Sequence, residues 1–232
     1  MCDSRIDAII VAGGRGLRMG GDMPKQYQML AGEPVLCRTL KAFQMHELID
    51  SIVLVVHADD IDYCRDKVLK GSCLPKLERI VVGGAERSDS VRAGLVATNT
   101  KVDGIVLIHD AVRPFVSSEL IDRVIIATRE HGAAVPCLPV TDTIKQVVDG
   151  EIQSTLLRHE IFRSQTPQGF RRNIIFDAHK PGNVATDDAE LVEQLGHKVV
   201  TINGDEENVK LTTSSDLIWA RAFIDGDNLG DP

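Results

Sequence analysis

The sequence predicts an α/β fold in which a mostly parallel β-sheet is covered by helices on both faces. Short apolar runs alternate along the chain with longer segments whose apolar residues recur at helical spacing, as in repeated strand–helix units. The runs are rich in β-branched residues and hardly alternate with polar ones, which is typical of strands buried on both faces. The six predicted strands cover residues 6–11, 52–57, 80–82, 104–109, 133–138 and 199–202. Sheets of this kind bind ligands beyond the carboxyl ends of their strands.

Two of the intervening helices are predicted from their apolar faces. In each segment the apolar side chains recur every three or four residues, and the second segment follows a Ser-Ser-Glu start at Ser117. The face residues are Val35, Leu36, Thr39, Leu40 and Phe43 in the first helix and Leu120, Ile121, Val124 and Ile125 in the second.

One segment, residues 140–157, interrupts the strand–helix alternation. Two runs of alternating character flank the dipeptide Asp149-Gly150, which favours a tight β-hairpin. A hairpin inserted in an α/β domain is either a surface ornament or an arm that grips a partner. The pattern alone gives both interpretations equal weight.

Length and composition place the whole chain, residues 1–232, in one domain. Hydrophobic residues make up 43% of the chain, enough for a sizeable core. No apolar run approaches the ~20 residues that cross a bilayer, and the start of the chain lacks the flanks of a signal peptide. We therefore expect a cytoplasmic protein that does not enter a membrane. The polar, glycine-containing tail, residues 226–232, is expected to be disordered.

Charge and cysteine usage exclude several classes of function. The formal net charge of −8 is unfavourable for a nucleic-acid partner, because such proteins usually carry a basic surface excess. An anionic small ligand stays possible if a local basic cluster overcomes this background. The five cysteines are scattered without a C-x-x-C pair, which argues against a disulfide framework and a structural zinc site.

The strongest local signal is a glycine-rich loop that follows the first predicted strand. It reads Ala-Gly-Gly-Arg-Gly-Leu-Arg-Met-Gly-Gly from residue 12 and ends at Pro24-Lys25. Glycines let backbone N–H groups approach phosphate oxygens closely, and Arg15, Arg18 and Lys25 supply positive charge. The loop is not a dinucleotide-binding fingerprint, because the bulky Met19 stands at the third glycine position, and no Gly-Lys-Ser/Thr triplet of a Walker A loop occurs. The loop therefore predicts a site for a nucleoside triphosphate.

With this loop, the sequence resembles the nucleotidyltransferases that activate sugars and polyols. More narrowly, it is similar to the 2-C-methyl-D-erythritol 4-phosphate cytidylyltransferase family of the non-mevalonate isoprenoid pathway. The resemblance covers nearly the whole chain and depends on several motifs in a fixed order. They are the glycine loop with Pro24-Lys25-Gln26-Tyr27, then Gly83-Gly84-x-x-Arg87-x-x-Ser90-Val91, His109-Asp110-Ala111-Val112-Arg113-Pro114, Asp142-Thr143-Ile144-Lys145, Gln165-Thr166-Pro167-Gln168-Gly169-Phe170, Ala185-Thr186-Asp187-Asp188-Ala189 and Asn208-Val209-Lys210-Leu211-Thr212.

The resemblance implies an enzyme with a Rossmann-like fold and an inserted β-hairpin arm, about residues 139–158, that reaches into the partner of a homodimer. The implied reaction joins CTP and 2-C-methyl-D-erythritol 4-phosphate into 4-diphosphocytidyl-2-C-methyl-D-erythritol and releases pyrophosphate. Mg²⁺ is the implied cofactor, with Asp110 as its contact, because a carboxylate near a triphosphate needs a cation between them.

The resemblance also assigns site residues. The catalytic residues are Arg18, Lys25, Asp110 and Lys210. The nucleotide-binding residues are Ala12, Gly13, Gly14, Gly16, Arg18, Lys25, Gly83, Ser90, Asp110 and Ala111. The residues for the polyol phosphate are Arg113, Thr143, Arg158, Thr166, Thr186 and Lys210.

Simpler structural roles compete with several of these assignments. Asp110 and Arg113 have the spacing of a plain Asp-x-x-Arg turn, and Ser90 has the place of a helix N-terminal serine. Thr143 and Arg158, taken alone, are ordinary exposed strand residues. His109 is interpreted as structural, because an ionised phosphate nucleophile has no proton to give to a base.

Two other functions remain to be weighed. Val11-Ala12-Gly13-Gly14 stands where many family members read Pro-Ala-Ala-Gly, and Ala-Gly-Gly also occurs in ribitol-5-phosphate cytidylyltransferases. Ribitol 5-phosphate is therefore the alternative acceptor. A non-catalytic nucleotide-sensing subunit of the same fold is the alternative of another class, although the presence of all four catalytic residues argues against it.

Overall fold

The structure, a computed structural model, describes residues 4–14, 23–180, 183 and 185–227. The strands are β1 (Ile6–Ala12), β2 (Met29–Leu30), β3 (Glu33–Pro34), β4 (Ser51–Val56), β5 (Leu77–Val82), β6 (Ile105–Asp110), β7 (Ala133–Pro139), β8 (Lys145–Val148), β9 (Glu151–Thr155), β10 (Phe162–Ser164), β11 (Gln168–Arg171) and β12 (Val200–Asn203). The α-helices are α1 (Val35–Met45), α2 (Ile61–Tyr63, continued by a π-helical turn Cys64–Val68), α3 (Arg87–Ala97), α4 (Ser118–His131), α5 (Arg172–Ala178), α6 (Asp188–Gln194) and α7 (Ser214–Asp227).

The central sheet has the order β10-β7-β11-β6-β1-β4-β5, and β12 pairs with β7. All six strands predicted from the apolar runs are present as β1, β4, β5, β6, β7 and β12. Strand β1 pairs in parallel with both β4 and β6, so the sheet is mostly parallel as predicted.

An antiparallel strand that the sequence did not predict, β11, lies between β6 and β7. Helix α4 crosses this strand so closely that a Cβ on Gly169 would lie 2.3 Å from the Thr128 hydroxyl oxygen and 2.6 Å from a Val124 methyl carbon. Glycine is therefore required where the helix and the strand meet.

Helices cover both faces of the sheet. On one face the strands pack against α1 and α4, and on the other face they pack against α3, α5 and α6. Strand β1 contributes Ile10 to the first layer and Ile9 to the second, which explains why its apolar run does not alternate with polar residues. Both helices predicted from their apolar faces are present as α1 and α4.

The predicted hairpin is formed by β8 and β9 as a separate two-stranded sheet. Asp149 and Gly150 have φ values of 50° and 84°, and positive φ at both turn residues suits the twist of a tight hairpin. The other described residues leave its apolar side chains largely uncovered, and Val147 and Ile152 are 53% and 64% exposed. The hairpin itself spans 145–155, inside the predicted limits of 139–158.

At the end of the chain, α7 includes Gly226 and Asp227, the first two residues of the tail that the sequence suggested would be disordered. Residues 228–232 lie outside the described residues. In the part of the chain that the structure describes, no helix has the length and apolar character needed to span a bilayer.

Candidate active site

The candidate site lies where β1 and β6 end side by side. Val11 and Asp110 are partners in the parallel register, so Gly13 and Gly14 after β1 lie beside Asp110 and Ala111. This is the edge at which an open α/β sheet binds ligands. A cavity opens here, the first cavity, lined by Val11, Ala12, Gly13, Gly14, Lys25, Gln26, Gly84, Ala85, Glu86, Arg87, Ser90, Asp110, Ala111, Val112 and Lys210.

The described part of the glycine loop is held from below by Gln26. Its side-chain amide is buried and donates hydrogen bonds to the carbonyl oxygens of Ala12 (2.9 Å) and Gly14 (3.1 Å). The sequence motif contained Gln26 but its role was not predicted. Residues 15–22, which include the predicted site residues Gly16 and Arg18, lie outside the described residues.

Ser90 forms the opposite wall of the first cavity, in the first turn of α3. Its hydroxyl accepts from the Gly84 N–H and donates to the Glu86 carbonyl, both at 3.2 Å. A Cβ on Gly83 would lie 2.5 Å from this hydroxyl oxygen. Gly83, a predicted nucleotide contact, therefore packs behind Ser90 and is not among the lining residues of the first cavity.

Asp110 is the electrostatic centre of the site. Its Oδ2 lies 2.8 Å from Lys210 Nζ and 3.8 Å from Arg113 Nε, and its Oδ1 lies 3.6 Å from Arg87 Nε. Burial alone would raise the pKa of Asp110, but the positive charges of Lys210, Arg87 and Arg113 outweigh burial and hold the pKa well below its usual range. The carboxylate is therefore ionised. The Asp110–Arg113 turn considered above is also present, because the Arg113 N–H donates to the Asp110 carbonyl.

Arg87 lines the first cavity but was not predicted as a site residue, although it belongs to one of the motifs given above. Its Nη2 lies 2.8 Å from Oδ2 of Asp188, a carboxylate whose side chain is only 1% exposed. The other oxygen of Asp188 accepts from His179 Nε2 at 3.0 Å. Burial would lower the pKa of Arg87, yet the charges of Asp188 and Asp110 more than compensate and raise it. Its place in the Gly-Gly-x-x-Arg motif was the signal that could have identified it.

A buried relay of hydrogen bonds connects Asp110 to Thr166, His109 and Arg113. The Asp110 N–H donates to the Thr166 hydroxyl (3.1 Å), which donates to His109 Nδ1 (3.1 Å), and His109 Nε2–H donates to the Arg113 carbonyl (3.0 Å). Burial lowers the pKa of His109 to about 4, so the ring is neutral. His109 therefore acts as a structural link, as expected from the sequence.

Asn208 fixes the segment that carries Lys210. It is fully buried, its amide donates to the Thr166 carbonyl, and its own carbonyl accepts from Arg113 Nη1, both at 2.7 Å. A second cavity opens beside these residues. It is lined by Arg113, Leu138, Arg163, Ser164, Gln165, Glu206, Asn208, Val209 and Lys210. Lys210, with a side chain that is 42% exposed, lines both cavities and therefore stands between them.

Three predicted contacts of the polyol phosphate are exposed and do not line either cavity. Thr143 and Arg158 are exposed next to the hairpin, and the Arg158 guanidinium donates to the Thr141 carbonyl at 3.0 Å. Thr186 is also exposed, and its backbone N–H and hydroxyl both donate to Glu190. The folded chain therefore brings Arg113, Thr166 and Lys210 together around Asp110, whereas these three lie on the surface.

For the predicted metal, the first cavity offers the Asp110 carboxylate. Within the described ranges, no group of three or more His, Cys, Asp or Glu side chains could hold an ion. Asp110 is a single carboxylate. Its Oδ1 lies 3.6 Å from Arg87 Nε, which is longer than a hydrogen bond. Mg²⁺ commonly binds through one or two carboxylates together with substrate phosphates. Asp110 thus fits an ion that arrives with a nucleotide, and it does not form a complete metal centre.

A glycine turn and a cluster of cations at the carboxyl edge of this sheet define a nucleotide-binding protein of the nucleotidyltransferase class. The family described as 2-C-methyl-D-erythritol 4-phosphate cytidylyltransferase, IspD, matches residues 6–226. The chain belongs to this family, and the predicted family, fold class and enzyme class are confirmed.

Individual relatives agree with this assignment along nearly the whole chain. The 2-C-methyl-D-erythritol 4-phosphate cytidylyltransferase of Syntrophus aciditrophicus is 47% identical over 225 residues, covering 95% of this chain and 96% of the relative. That of Geobacter metallireducens is 44% identical, covering 94% and 96%. The crystal structure of 4-diphosphocytidyl-2C-methyl-D-erythritol synthase from Anaerococcus prevotii superposes with a TM-score of 0.83 at 33% identity, covering 96% of this chain and 97% of the other.

Proposed function

We propose that the protein transfers the CMP group of CTP to 2-C-methyl-D-erythritol 4-phosphate, forming 4-diphosphocytidyl-2-C-methyl-D-erythritol and pyrophosphate in non-mevalonate isoprenoid biosynthesis. Family membership supports the substrates. The observation that carries the mechanism is the position of Lys210, which lines both cavities and contacts Asp110 at 2.8 Å. A cation at this junction is well placed to neutralise the acceptor phosphate and the α-phosphate of CTP while they approach each other.

The reaction requires alignment and charge neutralisation more than covalent chemistry. An oxygen of the acceptor phosphate attacks the α-phosphorus, a new P–O bond forms, and the bond to the leaving pyrophosphate breaks. The backbone at Gly13 and Gly14 gives the triphosphate close access to the loop. Lys25 and Lys210, with Arg18 from the loop, stabilise the charge that develops on the phosphoryl oxygens.

Magnesium is the proposed cofactor, held by Asp110 and by the phosphates of CTP. When bound, it would offset charge on those phosphates and help to orient them. Asp110 itself has a second role. It retains Lys210 by an ion pair before substrates bind, and it is held in turn by Arg87 and Arg113.

The acceptor phosphate is proposed to bind Arg113, Thr166 and Lys210 from one chain and Thr143 and Arg158 from a second chain, with Thr186 at the edge of the site. The exposed apolar side chains of the hairpin support this arrangement, because a two-stranded ribbon is marginal in water unless it packs against something. The protein would then be a homodimer joined through the arm. The free thiols of Cys37, Cys64, Cys73 and Cys137 suit the reducing cytoplasm, the proposed location.

Pyrophosphate release tests this function directly. The purified protein is incubated with CTP and Mg²⁺, and with 2-C-methyl-D-erythritol 4-phosphate, ribitol 5-phosphate or no acceptor. We expect release that depends on the methylerythritol phosphate. Release with ribitol 5-phosphate alone would assign the other acceptor. Binding of CTP without release for either acceptor would favour the nucleotide-sensing alternative.

A further inference from the structure

Arg87 joins three elements of the fold at the edge of the first cavity. It is the first residue of α3, and its guanidinium extends to Asp110 at the end of β6 and to Asp188 at the start of α6. Asp188 is almost completely buried and also accepts a hydrogen bond from His179. A buried carboxylate requires a partner of opposite charge, so Asp188 fixes the guanidinium in place.

Positive side chains face both oxygens of the Asp110 carboxylate. Arg87 lies beside Oδ1, whereas Lys210 and Arg113 lie beside Oδ2. Lys210 is half-exposed and free to move toward a bound phosphate, but Arg87 is held by its ion pair with Asp188. A partial rotation of the Asp110 carboxylate about its Cβ–Cγ bond would move one oxygen away from Lys210 and the other away from Arg87, and the Arg87 charge opposes that rotation.

We propose that Arg87 is a positioning residue: anchored by the buried Asp188–His179 pair, it fixes the orientation of the Asp110 carboxylate and thereby places Lys210 at the junction of the two cavities. The sequence separates these residues widely, and only the folded chain brings the start of α3, the end of β6 and the start of α6 together. The expected change in kcat rests on the proposed function. The expected change in the Lys210–Asp110 contact does not depend on that function.

The alternative is that Arg87 only neutralises Asp188 and contributes stability. Arg87→Gln and the double variant Arg87→Gln/Asp188→Asn separate the two roles. The single variant leaves the Asp188 charge buried without its guanidinium, so Tm should fall by roughly 10 °C, as expected when a buried charge loses its partner in a domain of this size. The double variant removes both charges, and most of this loss in Tm should be recovered.

Activity should not be recovered with stability. If Arg87 positions Asp110, kcat of the double variant stays lower than that of the wild type by about 10- to 100-fold, the range found when groups that orient a site residue are removed. The loss in kcat should exceed any rise in KM for CTP, since the proposed effect of Arg87 is on the placement of Lys210 between the two substrates. Wild-type kcat in the double variant would overturn the proposal. A large rise in KM with kcat unchanged would also overturn it, because Arg87 would then be a nucleotide-binding residue.

Arg5→Gln is the matched control. Arg5 likewise joins a buried aspartate, Asp7, to a second carboxylate, Glu78, with both distances at 2.8 Å, but it precedes β1 at the opposite edge of the sheet. This variant should lose stability and keep the wild-type kcat. If it loses kcat to the same extent as Arg87→Gln, the effect of Arg87 is general destabilisation and the proposal fails.

A crystal structure of the double variant without substrates gives a readout independent of catalysis. We expect the Asp110 carboxylate to rotate and the 2.8 Å contact that Lys210 Nζ makes with it to be lost at both oxygens. An unchanged contact would overturn the inference even if the enzyme is active. Conversely, a wild-type protein that releases no pyrophosphate would refute the proposed function, and the crystal structure would still decide the role of Arg87.

Discussion

Proton uptake by His109 in the unfolded chain should make the stability of the protein fall between pH 7 and pH 5. Burial lowers the pKa of this side chain from 6.5 to about 4, so the unfolded chain takes up a proton in this range and the native protein does not. The contribution is fully present above pH 6.5 and is lost as the pH falls toward 4. A difference of this size corresponds to about 3 kcal/mol in total, of which about 2 kcal/mol is lost between pH 7 and pH 5.

Denaturant unfolding at pH 7, 6 and 5 measures this effect. The comparison protein is His109→Gln, whose amide can still donate to the Arg113 carbonyl but has no proton to gain. This variant is expected to be less stable at pH 7, because the packing of His109 against Phe43, with ring centroids 4.9 Å apart, is lost. Its unfolding free energy should nevertheless change less than that of the wild type between pH 7 and pH 5. Parallel pH profiles for the two proteins would refute the argument.

Three further predictions concern the glycine loop, the preference for the cytosine base of CTP, and Gly169 in the central sheet. Arg18→Ala and Lys25→Ala should each lower kcat by a factor of about 10² or more with little change in Tm, and near wild-type turnover at saturating CTP would show that the loop is misassigned. UTP should have a much lower kcat/KM than CTP, because a site that accepts from the cytosine amine faces a carbonyl in uracil; comparable values would contradict this. Gly169→Ala should lower the unfolding free energy by about 1–3 kcal/mol through its clash with Thr128. Gly226→Ala is the control and should not lower it, because Gly226 has open space around it. Equal stabilities of the two variants would show that α4 moves away from β11 without cost.

The sequence was sufficient to predict features that depend on local pattern. Apolar runs identified the six strands, and Asp149-Gly150 identified the hairpin because a tight turn needs residues that tolerate positive φ. The carboxyl-edge rule for parallel sheets predicts a ligand site beyond the ends of the strands, and Asp110 lies at that edge beside the described end of the glycine loop.

The features that escaped prediction depend on contacts between distant segments. Strand β11 is only four residues long and has no alternating pattern, and it is a strand because β6 and β7 leave a space for it. The pairing of Arg87 with Asp188 is set by how α6 packs, which no local pattern encodes. The same applies to Asn208, whose neighbours in the sequence give no sign that it holds the Lys210 segment.

The arm leads to the last prediction. Arg113 and Lys210 line the second cavity of their own chain, but Thr143 and Arg158 lie beside the hairpin and away from it. If these two residues contact the acceptor, a second chain can supply them through its arm. Activity should then depend on two subunits.

Mixing two inactive variants, Lys25→Ala and Arg158→Ala, tests this dependence. After subunit exchange, one site of a mixed dimer combines an intact loop from one chain with an intact arm from the other. Random exchange at equal concentrations makes half of the dimers mixed, so about a quarter of the wild-type activity should return in a two-fold symmetric enzyme with shared sites. Each variant alone, and a mixture assayed before exchange, should stay inactive. If Arg158 serves its own chain, every site in the mixture carries one lesion, no activity returns, and the arm does not complete a neighbouring site.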